Sequence, residues 1–370
     1  MRPTGMLRRR DVLALGAVGA LAACGEQPGG APTSPSAWPG DLPTATGTWQ
    51  EIPDAPMSAR RTPTLTWTGT ELLVTGGVGR VVGPTVTCPP NALCEAPPTE
   101  PLEGSGAFDP ATGTWRALTG GNWFHHGPTW TGRLLTDGWS WFDPATDATG
   151  RAPESDLLVY APAAWSGAEV LCVGTDGSGQ PVPHTLWAWD PATGATRTGR
   201  VPGPDSGETC HTLWAGDELL VGLTMLPPEA PTVQAYDPVA DAWRAVSMGP
   251  AVQLLPPGGW DGERVVGLGW AEAELAQLDR TDPTDGTSSP VPLPAALDGR
   301  QTVPDLAVAP DRVAVGVGPR YAVLDGDTWT ALPALPGVGD DERVTTAWAG
   351  DRLVAWDDTL RRTGWWIDLG

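Results

Sequence analysis

Short apolar runs recur from about residue 47 to the end of the chain, separated by turns of one repeated composition. Ala107-Phe108 closes one run, Asp109-Pro110-Ala111-Thr112-Gly113 turns the chain, and Trp115 opens the next. Pro presets φ for a turn, Asp bonds its own backbone two residues on, and Gly supplies positive φ. The pattern predicts a β-hairpin. It returns at Phe142-Asp143-Pro144, Trp189-Asp190-Pro191 and Tyr236-Asp237-Pro238, the last leading to Trp243 at the same spacing. Leu324-Asp325-Gly326-Asp327 reaches Trp329 by a shorter route. A second landmark precedes each hairpin, a Trp-x-Gly turn followed by an apolar run, as in Trp67-Thr68-Gly69 and then Leu72 to Gly77. Copies start at Trp130, Trp165, Trp214, Trp260 and Trp348, with a worn copy at Ala309-Pro310-Asp311. Successive landmarks lie 63, 35, 49, 46, 49 and 39 residues apart. The mean is close to the ~40–50 residues of a four-stranded propeller blade.

These units predict an all-β fold, a seven-bladed β-propeller of four-stranded blades. An insertion at 79–104 lengthens the first interval, and the second is a trimmed blade around Gly138-Trp139. Ala271 to Leu278 is the one run with a helical look, and it falls where a strand is due. Trp365 to Gly370 reads as a third strand without its outer partner, and residues 46–53 read as an outer strand with nothing before it. The N-terminal strand is therefore expected to complete the last blade and close the ring, which otherwise leaves bare sheet edges.

The first residues read as an address. Arg8-Arg9-Arg10 precedes an apolar stretch that ends at Ala23 and is too short to span a bilayer. Leu21-Ala22-Ala23-Cys24 resembles a bacterial lipobox with Cys24 as the acylated residue, palmitate being one such acyl group. Arg9-Arg10-Asp11-Val12-Leu13 resembles a twin-arginine export motif with Val where Phe is usual. The expected organisation is a lipoprotein signal peptide over 1–23, a lipidated flexible linker rich in Gly, Pro, Ser and Thr over 24–45, and the propeller over 46–370. That places the body on the outer face of the cytoplasmic membrane, in the bacterial cell envelope.

Composition then narrows the partners. The net charge is −22, and all 22 basic side chains are Arg. Such a surface repels phosphates, which argues against nucleic acid. With Cys24 acylated, four cysteines remain in an oxidising compartment. The expected disulfides are Cys88–Cys94, inside the insertion, and Cys172–Cys210, between consecutive units. Cys210-His211 lacks the close Cys pair of a zinc site. Of the 20 Trp, six stand at Trp-x-Gly turns and four (Trp49, Trp115, Trp243, Trp329) open outer strands, so half are architectural. Trp123 and Trp270 are the two candidates for ligand contact.

Gly76-Gly77, Phe108-Asp109-Pro110 and Trp115 resemble the kelch-repeat propeller family, which includes galactose oxidase-like proteins. In weaker form the resemblance covers nearly all of 47–370. The quinoprotein propeller, with a longer Asp-to-Trp interval, fits less well. Galactose oxidase-like chemistry implies copper on Tyr and His side chains and a Cys cross-linked to a Tyr. With Tyr160, Tyr236 and Tyr321 alone, that constellation is not found. The expectation is therefore no cofactor, no metal site and no catalytic residue, although Asp282 and Asp285, or Asp325 and Asp327, have the chemistry for Ca²⁺. The candidate ligand-binding residues are Arg60, Arg61, Trp123, His125, His126, His211 and Arg343, with Asp341 and Glu342 beside them, as a polar ring at one propeller mouth. The resulting expectation is a monomeric, lipid-anchored protein-binding or scaffolding module whose partner is an envelope protein or a cell-surface glycan. The alternative is a carbohydrate-binding module or metal-dependent enzyme using the propeller mouth.

Overall fold

The computed structural model describes residues 42–83, 97–122, 124, 127–153, 158–159, 162–175, 183–203, 210–223, 232–246, 258–271, 274–295, 297, 304–340 and 342–370. Among them are 29 strands and no helix. The first strand, β1 (Gln50–Ile52), pairs with the far end of the chain, and the remaining strands form seven antiparallel sheets in sequence order. Blade 1 holds β2 (Thr64–Trp67), β3 (Leu72–Thr75), β4 (Ser105–Asp109) and β5 (Thr114–Leu118). Blade 2 holds β6 (Thr129–Trp130), β7 (Leu135–Thr136), β8 (Ser140–Asp143) and β9 (Ala148–Arg151). In blade 3 the inner strand comes as two pieces, β10 (Leu158–Val159) and β11 (Ala164–Trp165), both on β12 (Val170–Thr175), followed by β13 (Thr185–Trp189) and β14 (Thr196–Arg200).

Blade 4 is β15 (Cys210–Ala215), β16 (Glu218–Leu223), β17 (Thr232–Asp237) and β18 (Ala242–Val246). Blade 5 is β19 (Gly258–Trp260), β20 (Val265–Ala271), β21 (Glu274–Thr281) and β22 (Ser288–Pro292), so Ala271 ends one strand and Glu274 to Leu278 lie in the next. Blade 6 is β23 (Asp305–Ala309), β24 (Arg312–Val317), β25 (Arg320–Asp325) and β26 (Thr328–Ala331). Blade 7 is β27 (Val344–Ala349), β28 (Arg352–Asp357) and β29 (Gly364–Asp368), and β1 supplies its outer strand with Gln50 opposite Trp366 and Ile52 opposite Gly364. The inner strands touch in ring order, and β27 returns to β2. The ring is a seven-bladed β-propeller closed as the sequence predicts.

Residues 43–45 also lie against the body: Thr44 bridges Ala331 in parallel, and the Ala331 N–H donates to Pro43 O at 2.8 Å. The apolar core sits between the blades. Ile52, Leu72, Val74, Phe108, Val354 and Trp356 fill the seam of blades 7 and 1, while Leu171, Val173, Leu219 and Val221 fill that of blades 3 and 4.

The repeated motifs act as the residues dictate. Asp109 accepts from the Ala111 N–H at 2.8 Å and the Thr112 hydroxyl at 3.0 Å, and Gly113 takes φ 69° to close the turn. Asp190 and Asp282 repeat this, and Asp285 accepts from Thr287 N–H at 2.8 Å, so these carboxylates serve the turns. The outer-strand Trp side chains tie neighbouring blades together. Nε1 of Trp49 donates to Pro333 O at 2.6 Å, Trp115 to Pro53 O at 2.7 Å, and Trp329 to Pro292 O at 3.0 Å.

A second link between blades is absent from the sequence expectations. Arg116 pairs with Glu71 of its own blade at 2.7 Å and donates to Pro144 O of the next at 2.6 Å. Arg244 repeats the arrangement with Glu218 and Pro283 O, and Arg197 with Glu169 and the Tyr236 hydroxyl.

One expected disulfide is corrected. Cys172 is a free, buried thiol. Alternation along β12 sends Leu171 and Val173 toward blade 4, but Val170 and Cys172 toward blade 2. Its Sγ sits hard against Gly138, on the side away from the strand that Cys210 opens. Cys88 and Cys94 lie outside the described residues, as do residues 1–41 with Cys24.

Candidate functional site

The propeller has two unlike faces. One carries the Trp-x-Gly and Asp-Pro turns with their Arg–Glu pairs. The other carries the starts of the inner strands and the connections between second and third strands. An open groove of about 480 Å³ on the turn face, between blades 1 and 2, is lined by Glu71, Arg116, Trp130 and Arg133. Its charges are already engaged, Arg116 by Glu71 and Arg133 by Asp143 at 3.4 Å.

On the connection face, charged side chains of blades 6, 7 and 1 meet at the mouth of the ring. Asp358 follows β28, and its carboxylate accepts from the Thr62 N–H just ahead of β2. Thr62 takes φ 44°, an uncommon value for a side chain branched at Cβ, and the contact with Asp358 holds it there. The Asp358 N–H donates to Arg343 O at 3.3 Å. Arg61 and Arg343 are both exposed, both act electrostatically on Asp358, and neither is in an ion pair among the described residues. Burial pushes the Asp358 carboxyl up, against the pull of Thr62, Arg61 and Arg343.

Asp305, the first residue of β23, lies beside this group. It accepts from the Tyr321 hydroxyl at 3.1 Å. Burial pushes its carboxyl up to about 7, with Asp358 adding to the shift, while Tyr321, Arg343 and the Val344 N–H oppose it. Tyr321 is fully buried, and its hydroxyl is pushed well up by burial and by Asp305. Gly316 is the cross-strand partner of Tyr321 and lies under its ring, where a β-carbon has no room. Trp49 meets the same ring edge-on at 6.1 Å, which ties this corner to the ring closure.

Of the expected residues that are described, the fold brings Arg61 and Arg343 together and sets Arg60 and His211 apart from them. Arg60 is buried and donates to the carbonyls of Ser58, Gly76, Glu103 and Gly104, so it clamps the insertion and does not face a ligand. Glu342 turns back to accept from the Gly339 N–H at 2.8 Å. His211 is half-buried on β15, across the ring from blades 7 and 1, and burial lowers its pKa. Trp123, His125, His126 and Asp341 lie outside the described residues, as do the side chains of Cys210 and Trp270. Among the described residues no three His, Cys, Asp or Glu side chains gather as metal ligands. Asp305, Tyr321 and Asp358 escape sequence reasoning because each looks like an ordinary strand-end residue. The available signal is their position, at the same strand ends as Arg61 and Arg343.

No family model matches the chain, and no curated protein does. Among solved structures it is similar to the β-propeller domain of the Trilobed protease from Pyrococcus furiosus, described as having an open velcro topology, with 13% identity and a TM-score of 0.50 over 84% of this chain and 94% of that one. It is also similar to oligogalacturonate lyase from Vibrio parahaemolyticus, with 10% identity and a TM-score of 0.53 over 90% of this chain and 98% of that one. At these identities the likeness is one of fold.

Proposed function

We propose that the protein is an exported, lipid-anchored propeller of kelch-like type that binds a partner at the cell envelope through its connection face. The observation that carries this is where the large apolar side chains break the surface. Five are exposed among the described residues, and four of them, Val78, Val81, Val82 and Trp139, stand on this face at blades 1 and 2. The valines ride on an arm rising from β3, held by the Arg61–Val78 and Val81–Thr99 bridges and by the Glu100 N–H donating to Arg80 O at 2.7 Å. Apolar groups exposed together on one face mark interaction surfaces, whereas singly scattered ones are ordinary. The blades hold such loops rigid, which lowers the ordering cost of binding.

The kelch-like assignment rests on Gly76-Gly77 at the end of β3 and on the hairpin from Phe108 to Trp115. Export and anchoring rest on the arginine-flanked apolar stretch and on Cys24. Cys24→Ser is expected to move the protein from the membrane pellet to the soluble fraction, and a variant that stays in the pellet overturns the anchor. A second reading, a small ligand at the propeller mouth, is favoured by Arg61 and Arg343 meeting at Asp358 with Asp305 beside them.

A further inference from the structure

The mouth formed by blades 6, 7 and 1 has a charge balance that selects a ligand. Most arginines elsewhere on the ring are matched: Arg320 pairs with Asp340 at 2.6 Å, Arg361 with Asp357 at 3.3 Å, and Arg362 with Asp54 at 3.0 Å. Arg61 and Arg343 are in no ion pair among the described residues; both are exposed, both act on the carboxylate of Asp358, and Arg343 also acts on Asp305. Asp358 is itself committed to the Thr62 N–H, and its own N–H donates to Arg343 O at 3.3 Å, which fixes it between the two arginines. We propose that Arg61 and Arg343 form a binding site for a single carboxylate, gated by the proton on Asp305. This deepens the second reading above and rests on the connection face being a recognition face.

With Asp305 neutral and Asp358 ionised the site sums to one positive charge, Arg61 and Arg343 against Asp358, which a monoanion neutralises. Guanidinium groups suit this task because their planar donors match the two oxygens of a carboxylate. Asp305 sets the condition. The groups that face it are the Tyr321 hydroxyl from β25, Arg343 and the Val344 N–H at the start of β27, and Asp358 from the far end of β28. The described part of β19, on its other side, is Gly-Gly-Trp and adds no charge. Once Asp305 ionises the four charges sum to zero, and a bound carboxylate meets a second negative group across the mouth. Binding is therefore strong below about pH 7 and weak above it.

The test is an NMR titration of the full chain with glucuronate, with N-acetyl-Ala-Ala, and with its C-terminal amide, at pH 6 and pH 8. Glucuronate or the free-acid peptide is expected to bind at pH 6 and to lose about tenfold in affinity by pH 8, the ratio for a single group titrating near 7. Which of the two binds distinguishes an acidic sugar from a chain terminus, and the amide is expected to be inert. Asp305→Asn is expected to keep the pH 6 affinity at pH 8, and Arg61→Gln with Arg343→Gln to abolish binding in a folded protein. No binding by either acid, binding that survives loss of both arginines, equal binding of the amide, or a pH effect that persists in Asp305→Asn overturns the proposal. Any of these leaves docking through Val81 and Trp139 standing, because that is read separately, by cross-linking.

Discussion

Arg60 and Arg61 adjoin in sequence, yet one spends its donors on four backbone carbonyls and the other turns its charge to the mouth. Burial lowers the Arg60 pKa to about 10, still far above neutrality, so it remains a charged donor. Arg60→Ala removes the donor to the buried Gly76 carbonyl and to the half-buried Gly104 carbonyl, a loss of about 3 kcal/mol in denaturant unfolding. Arg61→Ala is expected to change stability by no more than about 0.5 kcal/mol, the range for exposed positions. Asp305 gives a second contrast. Its pKa is raised in the folded state, so the folded chain binds the proton more tightly than the unfolded one. Its effect on stability is therefore absent below about pH 4 and grows as a loss up to about pH 7. The turn aspartates Asp109, Asp190 and Asp282 have lowered pKa values and act with the opposite sign, stabilising above about pH 4 and losing that effect on acidification. Asp305→Asn is expected to raise the denaturation midpoint at pH 8 and leave it unchanged at pH 4; a smaller midpoint at pH 8 contradicts the assignment.

At the scale of elements, the hairpins and Trp-x-Gly turns were legible because each is local. The Asp109 carboxylate, Pro110 and Gly113 settle the turn among themselves, without help from the rest of the fold. The links between blades were not, since Glu71 and Arg116 stand 45 residues apart and meet only when the blade forms. The same holds for the mouth: Arg61, Asp305, Arg343 and Asp358 come from three blades, and only Arg61 and Arg343 stood out as charges at strand starts. Strand parity decided the fate of Cys172, which one residue earlier or later along β12 would have faced blade 4. The closing strand was legible from the two incomplete ends of the repeat. Deleting residues 47–52 removes the partner of β29 and the Trp49–Pro333 link. The shortened protein is expected to melt at lower temperature and to form oligomers in size-exclusion chromatography as the exposed edge seeks a partner. A monomer of unchanged Tm contradicts the closure.

Across the whole molecule the two faces divide holding from meeting. The turn face carries the arginines that pair with Glu of their own blade and bond the next, and the connection face carries Arg61 and Arg343, in no ion pair among the described residues, and four of the five described exposed apolar groups. One exposed apolar residue on each face allows a direct comparison. Trp139 stands on the connection face, 36% exposed, and Val239 on the turn face, 95% exposed. Exposure alone therefore favours Val239, while placement on the connection face favours Trp139. The decisive measurement places a photo-activated benzoylphenylalanine at one position or the other in cells that make the protein. A discrete cross-linked adduct from position 139 and none from 239 is the predicted result. An adduct from 239 alone, or equal adducts from both, contradicts the assignment of the connection face as the surface that meets a partner.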